Sequence, residues 1–154
     1  MDKCCQTANL YLATLKAMQL IHQHNHWTSK GKNFYSHHLL FERIYETVGE
    51  NLDLAAEKFI GVLGDDCLDY NMQTSLLNKV LEKYKKMAGD EIRMSLAIEK
   101  DFLKYSKYTY DCLEEENRLS LGLDDMIMSI ASEREEAVYL LSQTLDNANS
   151  SDDE

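Results

Sequence analysis

Apolar residues recur at steps of three and four along most of the chain, which is the periodicity of amphipathic α-helices. The clearest stripe lies in residues 37–63 and consists of Phe41, Ile44, Val48, Leu52, Ala55, Phe59 and Val62. Similar patterns predict three further long helices, over residues 7–29, 90–116 and 124–147. A shorter helix is predicted between the second and third long helices, opening at Thr74 or Ser75.

Four long helices with one short helix in the second connection predict an all-α fold, a ferritin-like four-helix bundle with a long crossover. Composition favours the same fold, because the 154 residues include no proline and only six glycines to interrupt a helix. Gly31 and Gly64 suit the ends of the first two helices, and Asn33 or Ser36 the start of the second. We expect residues 1–147 to form one domain and residues 148–154 an acidic, disordered tail.

Two features of the chain bear on its location. It contains no apolar run long enough to span a bilayer, and its first residues, "MDKCCQTANLYLATLK", do not form a secretory signal. The four cysteines, Cys4, Cys5, Cys67 and Cys112, include no C-x-x-C pair, and adjacent cysteines make a poor disulfide. We therefore expect free thiols and a cytoplasmic protein; a redox role for Cys4 and Cys5 has no support in the sequence.

The formal net charge is −11, without any arm rich in lysine and arginine. Affinity for nucleic acid comes from cationic side chains that displace counterions from phosphates, so this chain is badly suited to that partner. A negative protein is better suited to attracting cations.

All five histidines lie in residues 22–38. His26 is near the end of the first helix and His38 is in the first turn of the second. The short loop between them makes an antiparallel hairpin, so the two imidazoles can face each other. His22, one turn before His26, either extends a site there or is a hydrogen-bonded packing residue, and His24 and His37 are expected at the surface or in a loop.

Carboxylates with metal-ligand spacing occur farther along the second helix. Asp53 and Glu57 are four residues apart and share a face, as do His38 and Glu42. However, His38 and Asp53 are fifteen residues apart, which is roughly 22 Å along a helix. Metal–ligand bonds are about 2.0–2.2 Å long. The histidines and the carboxylates are therefore either unrelated or brought together by two chains in an antiparallel, two-fold contact.

An internal site of the usual di-iron bundle type is not expected. Such sites carry Glu-x-x-His motifs on two helices of one subunit. The residues three positions before the histidines of this chain are instead Gln19, Ile21, Gln23, Phe34 and Tyr35.

The stretch "HWTSKGKNFYSHHLLFERIYETVGENLDLAAEK" closely resembles the Dps proteins, the mini-ferritins named as DNA-binding proteins from starved cells. The family pattern has His-Trp, a glycine and an aromatic residue in the loop, a second histidine twelve residues after the first, and an acid four residues later. An Asp and a Glu follow twenty-seven and thirty-one residues after the first histidine. These fall without gaps on His26, Trp27, Gly31, Phe34, His38, Glu42, Asp53 and Glu57.

The resemblance implies a shell of twelve subunits with ferroxidase sites at its two-fold interfaces. Fe(II) is oxidised there, by hydrogen peroxide or dioxygen, and stored as ferric mineral, which protects against oxidative stress. His26 and His38 of one subunit would bind the metal together with Asp53 and Glu57 of its neighbour. Glu42 would be an additional ligand or an acceptor that orients an imidazole, with a surface ion pair as the alternative. Trp27 would pack beside the site.

The resemblance also implies acidic three-fold pores that admit iron near the start of the last helix, lined by Asp124 or Asp125, of which Asp125 matches better. Many Dps proteins bind DNA through a basic N-terminal extension, but here only "MDK" precedes the cysteines. We expect no appreciable DNA binding. The alternatives to a ferroxidase are a DNA-compacting structural protein, which the charge disfavours, and a ferritin-like scaffold whose site is silent or holds zinc.

Overall fold

The computed structural model describes the backbone of residues 1–150 and the side chains of residues 1–145. Its first two elements are long helices joined by a short loop. Helix α1 spans Lys3–Thr28 and helix α2 spans Phe34–Leu63. Helix α1 begins earlier than predicted because the Asp2 side chain accepts a hydrogen bond from the Cys5 backbone N–H and caps the helix. Gly31, at φ +85°, makes the turn between the helices.

The crossover from α2 to the next long helix contains helix α3, Tyr70–Tyr84, flanked by 3₁₀ turns at Asp65–Cys67 and Lys85–Met87. The predicted start at Thr74 or Ser75 is wrong, because Asp69 caps the helix. Its carboxylate accepts from the backbone N–H groups of Asn71 and Met72.

Helices α4, Glu91–Glu115, and α5, Leu121–Ser150, complete the described fold. Asp90 caps α4. Helix α5 begins three residues before its predicted start, since the Ser120 hydroxyl accepts from the Leu123 backbone N–H at 3.1 Å. The helix continues into the predicted acidic tail as far as Ser150, and residues 151–154 lie outside the described part of the chain.

A four-helix bundle results from the packing of α1 against α2 and α4, and of α5 against α2 and α4, with α3 lying against α1. Tyr11 stands at the centre of the larger core, with its ring edge-on to those of Phe59 at 5.4 Å and Phe102 at 4.8 Å. A second core occupies the opposite end of the bundle and contains Phe41, Ile44, Ile92, Leu96, Ala137 and Leu141. The predicted bundle with a short helix in its crossover is confirmed.

The cysteines differ in part from the prediction. Cys5 and Cys67 form a disulfide that ties the start of α1 to the crossover, so the expectation of free thiols is wrong for these two residues. Cys67 lies 62 positions beyond Cys5, and only the fold brings them together. Cys4 and Cys112 are free thiols, as expected. No helix in the described part of the chain is long and apolar enough to cross a membrane.

Candidate metal centre

His26 and His38 lie face to face at the α1–α2 hairpin. Their ring centroids are 3.7 Å apart and their planes differ by 15°. His26 is in the last turn of α1, so the short loop returns the chain directly opposite it. The predicted approach of these two imidazoles is confirmed.

Each of the two histidines is held by the backbone of the other. The Nδ1 of His26 lies 2.7 Å from the carbonyl oxygen of His38, and the Nδ1 of His38 lies 2.8 Å from the carbonyl oxygen of His26. A carbonyl oxygen only accepts, so both Nδ1 atoms carry the proton and donate. In the neutral rings, each Nε2 therefore keeps an unprotonated lone pair, which is the form that binds a metal.

Aromatic rings flank the histidine pair. Phe34 lies over His38 with 5.0 Å between ring centroids, and Tyr45 meets His26 edge-on at 5.3 Å. Burial, together with the Glu42 and Glu46 carboxylates, raises the pKa of the Tyr45 phenol above its usual value. The phenol stays neutral at physiological pH, so Tyr45 supports the imidazole without adding a charge.

The carboxylates lie apart from the histidines in the single chain. Asp53 and Glu57 are exposed on α2, and Glu42 is half-buried one turn after His38. Glu57 borders an open depression of about 390 Å³ that Leu54 and Val62 also line. Within the described residues of one chain, no group of three or more His, Cys, Asp or Glu side chains is placed to hold a metal ion.

Trp27 does not pack beside the site in the single chain, since 66% of it is exposed. Leu20, seven residues earlier and so on the same face of α1, is also exposed. Leu39 and Leu54 are exposed on α2. The hairpin thus presents apolar side chains next to the candidate ligands, and a second chain would be needed to cover them.

The other histidines are not placed as ligands. His22 is fully buried, and its two ring nitrogens contact Ser95 Oγ at 2.8 Å and Glu99 Oε1 at 2.9 Å. Both nitrogens are engaged, so His22 packs the bundle rather than extending the site. His24 is exposed as predicted, and His37 is half-buried.

A buried polar network continues from His22 through the bundle, and the sequence did not predict it. Arg134 Nε lies 3.5 Å from Glu99 Oε2, and Arg134 Nη2 donates to the Thr47 hydroxyl at 2.8 Å. The chain of contacts joins all four long helices. The sequence does carry one sign of this network: Glu99 lies on the apolar stripe of α4, between Leu96 and Phe102, where a charged residue is unexpected.

The predicted pore residues differ in exposure. Asp124 is half-buried, with a buried carboxylate oxygen, and it lies by Tyr110. Burial raises the pKa of the Tyr110 phenol, and the nearby carboxylates of Asp124 and Glu114 raise it further. Asp125 is exposed in the first turns of α5, so of the two it is the one whose carboxylate faces solvent.

Comparison with family models finds no match, and no curated relative is found either. Among solved structures, the chain is similar to Dps from Thermosynechococcus elongatus, with a TM-score of 0.74 and 17% identity over 93% of this chain and 90% of that one. It is likewise similar to Dps from Listeria monocytogenes, with a TM-score of 0.75 and 15% identity over 95% of each chain. The likeness covers more than nine tenths of the chain, which has the fold of the Dps proteins.

Proposed function

We propose that this protein oxidises Fe(II) at sites shared between subunits and stores the ferric product inside a hollow homo-oligomer, a dodecamer of the Dps type. The observation that carries the proposal is the reciprocal pairing of His26 and His38. Their Nδ1 atoms are fixed by backbone carbonyls, and both Nε2 atoms are left for a metal. Imidazoles restrained in this way are prepared for binding before iron arrives.

The carboxylate half of the site comes from a neighbouring chain in this proposal. Successive residues of a helix are 100° apart, so His38, Glu42, Asp53 and Glu57 share one face of α2. Laying α2 antiparallel to its copy brings the histidine end of one subunit to Asp53 and Glu57 of the other. Two-fold symmetry then produces two equivalent sites. The exposed apolar side chains Leu20, Trp27, Leu39 and Leu54 are available to pack in that contact.

The ligand set suits iron oxidation. Two imidazole nitrogens and two carboxylates leave coordination positions open, as Fe(II) chemistry requires when an oxidant must reach the metal. Reduction of hydrogen peroxide to water takes two electrons, which two ferrous ions supply together without releasing hydroxyl radical. Glu42 serves as a further ligand, because the Nδ1–H groups of both imidazoles already donate to backbone carbonyls and leave no N–H for its carboxylate to orient. The net charge of −11 attracts Fe(II) and disfavours DNA as a partner. At an entry pore for iron, Asp125 is favoured over Asp124 as the lining carboxylate.

The proposal is tested by the double substitution His38→Ala with Asp53→Ala. Loss of one nitrogen and one oxygen ligand should lower the rate of peroxide-dependent Fe(II) oxidation by tenfold or more. The rate is followed by the absorbance of the ferric product. His24→Ala is the matched control, since His24 is an exposed histidine on α1. Unchanged kinetics in a folded double variant would contradict the assignment, and a monomeric native mass would contradict the shared site.

A further inference from the structure

A second pair of sulfur atoms lies beside the disulfide at the start of α1. The Sγ atoms of Cys4 and Cys112 are 3.4 Å apart, and the two residues are 1% and 2% exposed. Cys4 is in the first turn of α1, and Cys112 is in the last turn of α4. Cys5, adjacent to Cys4, is bonded to Cys67 in the crossover. One end of the bundle therefore carries all four cysteines of the chain as two pairs.

We propose that Cys4 and Cys112 are a latent second disulfide that a peroxide closes, tying the start of α1 to the end of α4. One thiolate attacks an oxygen of hydrogen peroxide and breaks the O–O bond, which leaves a sulfenic acid and a hydroxide. The hydroxide takes up the proton that the thiol lost and leaves as water. The partner thiol then attacks that sulfur, the S–S bond forms and a second water leaves. Two thiols lose two electrons and two protons, and the peroxide gains them. The inference is independent of the proposed iron chemistry.

The position of the pair sets how fast it reacts. Burial, and the neighbouring Cys112 thiol, raise the pKa of Cys4 to about 11, so little thiolate is present while the helix ends are closed. Both cysteines lie in terminal turns, which open more readily than the middle of a helix. The ion pairs above them are at the surface, Asp2 with Arg118 at 3.0 Å and Lys3 with Glu115 at 3.8 Å, and such pairs stabilise little. Oxidation is therefore slow and limited by opening.

The short distance between the two sulfur atoms keeps the reaction within the pair. Because the Sγ atoms are 3.4 Å apart and both residues are buried, an oxidised sulfur on either residue lies next to the thiol of the other. A sulfenic acid on either sulfur thus meets its partner thiol before a second peroxide. An ordinary pair of packed core cysteines would instead remain two thiols, or each would gain oxygen separately.

The test uses the variant Cys5→Ser with Cys67→Ser, in which Cys4 and Cys112 are the only thiols. After treatment of the folded variant with hydrogen peroxide, we expect both titratable thiols to be lost and the intact mass to fall by two hydrogen atoms. No cross-link between subunits should form. The Tm should rise by several degrees after oxidation, and a dithiol reductant should return it to its original value. The matched control adds Cys112→Ser, and its single Cys4 thiol can only gain oxygen or link two subunits.

Two results would overturn the proposal. One is retention of both thiols in the folded variant under peroxide conditions that oxidise them in urea. The other is oxygen addition at each sulfur without a link between them. If the double variant does not fold, the same thiol titration is made on the natural chain, where two free thiols accompany the Cys5–Cys67 disulfide. A fall from two thiols to none without oxygen addition supports the proposal there, and two retained thiols or two oxygenated ones refute it.

Discussion

His26 and His38 show how a local hydrogen-bond pattern orients two candidate ligands. Each Nδ1–H donates to a carbonyl that is itself fixed in a helix, so neither ring needs an additional side chain to orient it. The stacking of the two rings at 3.7 Å sets them side by side. The geometry depends on two residues twelve positions apart and on the loop between them, and it is therefore complete within one chain.

Glu99 provides the prediction at the scale of the residue. It is 0% exposed and lies between His22 and Arg134, which is itself 2% exposed. Substitution of Glu99 by Ala leaves a buried guanidinium without its carboxylate, and we expect it to lower the free energy of unfolding by about 3–5 kcal/mol. Urea denaturation at one protein concentration measures the change.

The matched control for that measurement is Glu135→Ala, since Glu135 is an exposed glutamate on α5. It should change the free energy of unfolding by less than about 0.5 kcal/mol. Equal effects of the two substitutions would show that the buried network does not stabilise the bundle.

Helix α3 shows, at the scale of the element, why a cap decides a boundary. The apolar pattern begins near Ser75, but the Asp69 carboxylate accepts from the N–H groups of Asn71 and Met72. The helix therefore begins at Tyr70, four residues before Thr74. We predict that Asp69→Ala lowers the free energy of unfolding by ~1 kcal/mol. Thr74→Ala, at the start expected from the sequence, should have little effect, and a reversed order in urea denaturation would refute this cap.

The contact between α3 and α4 predicts that the stability of the fold depends on pH. Burial acts to raise the pKa of Asp101, but hydrogen bonds from Lys83, at 2.7 Å, and from Tyr84 outweigh it, so the pKa is lowered overall. A carboxyl group whose pKa is lower in the folded state stabilises the fold at pH values above its unfolded-state pKa of about 3.9. This stability is lost as the pH falls through the folded-state pKa.

We therefore expect Asp101→Asn to lower the free energy of unfolding by ~1–3 kcal/mol at neutral pH. The difference from the natural chain should shrink when unfolding is measured below pH ~4. Asp66→Asn, on an exposed aspartate, is the control. A difference that stayed constant down to strongly acidic pH would contradict the assignment.

At the scale of the whole molecule, the candidate site is divided between the two ends of α2. A single chain keeps the histidine half ready and leaves the carboxylate half at a distance, with no complete metal-binding group among the described residues. Under the proposed function, assembly would control activity, because a complete site would form only where two subunits meet.

Mixed oligomers test that division directly. We propose co-expressing a chain that carries His26→Ala and His38→Ala with one that carries Asp53→Ala and Glu57→Ala. Each variant alone should be inactive in Fe(II) oxidation. A mixed dimer has one site with all four ligands, and random pairing makes half of the dimers mixed, so ~25% of the natural activity should return.

Absence of recovery in mixed oligomers of native mass would contradict sharing between subunits. Activity in either variant alone would show that its substituted residues are not required as ligands. Both results are read against the same total protein concentration.

The sequence by itself determined the helical fold and the separation of the candidate ligands. Periodicity identifies the long helices, since only one face of each can be buried against the others. Helix rise converts fifteen residues into roughly 22 Å, which separates His38 from Asp53 whatever the surroundings. The hairpin brings His26 to His38 because its loop is short.

Tertiary structure decided what depends on residues far apart in the chain. It distinguished His22, whose two ring nitrogens are engaged by Ser95 and Glu99, from His26, whose Nε2 has no hydrogen-bond partner among the described residues, although both lie on the same face of α1. It also paired Cys5 with Cys67 and placed Arg134 beside Glu99. These contacts join different helices, and no local pattern specifies which side chains meet when the helices pack.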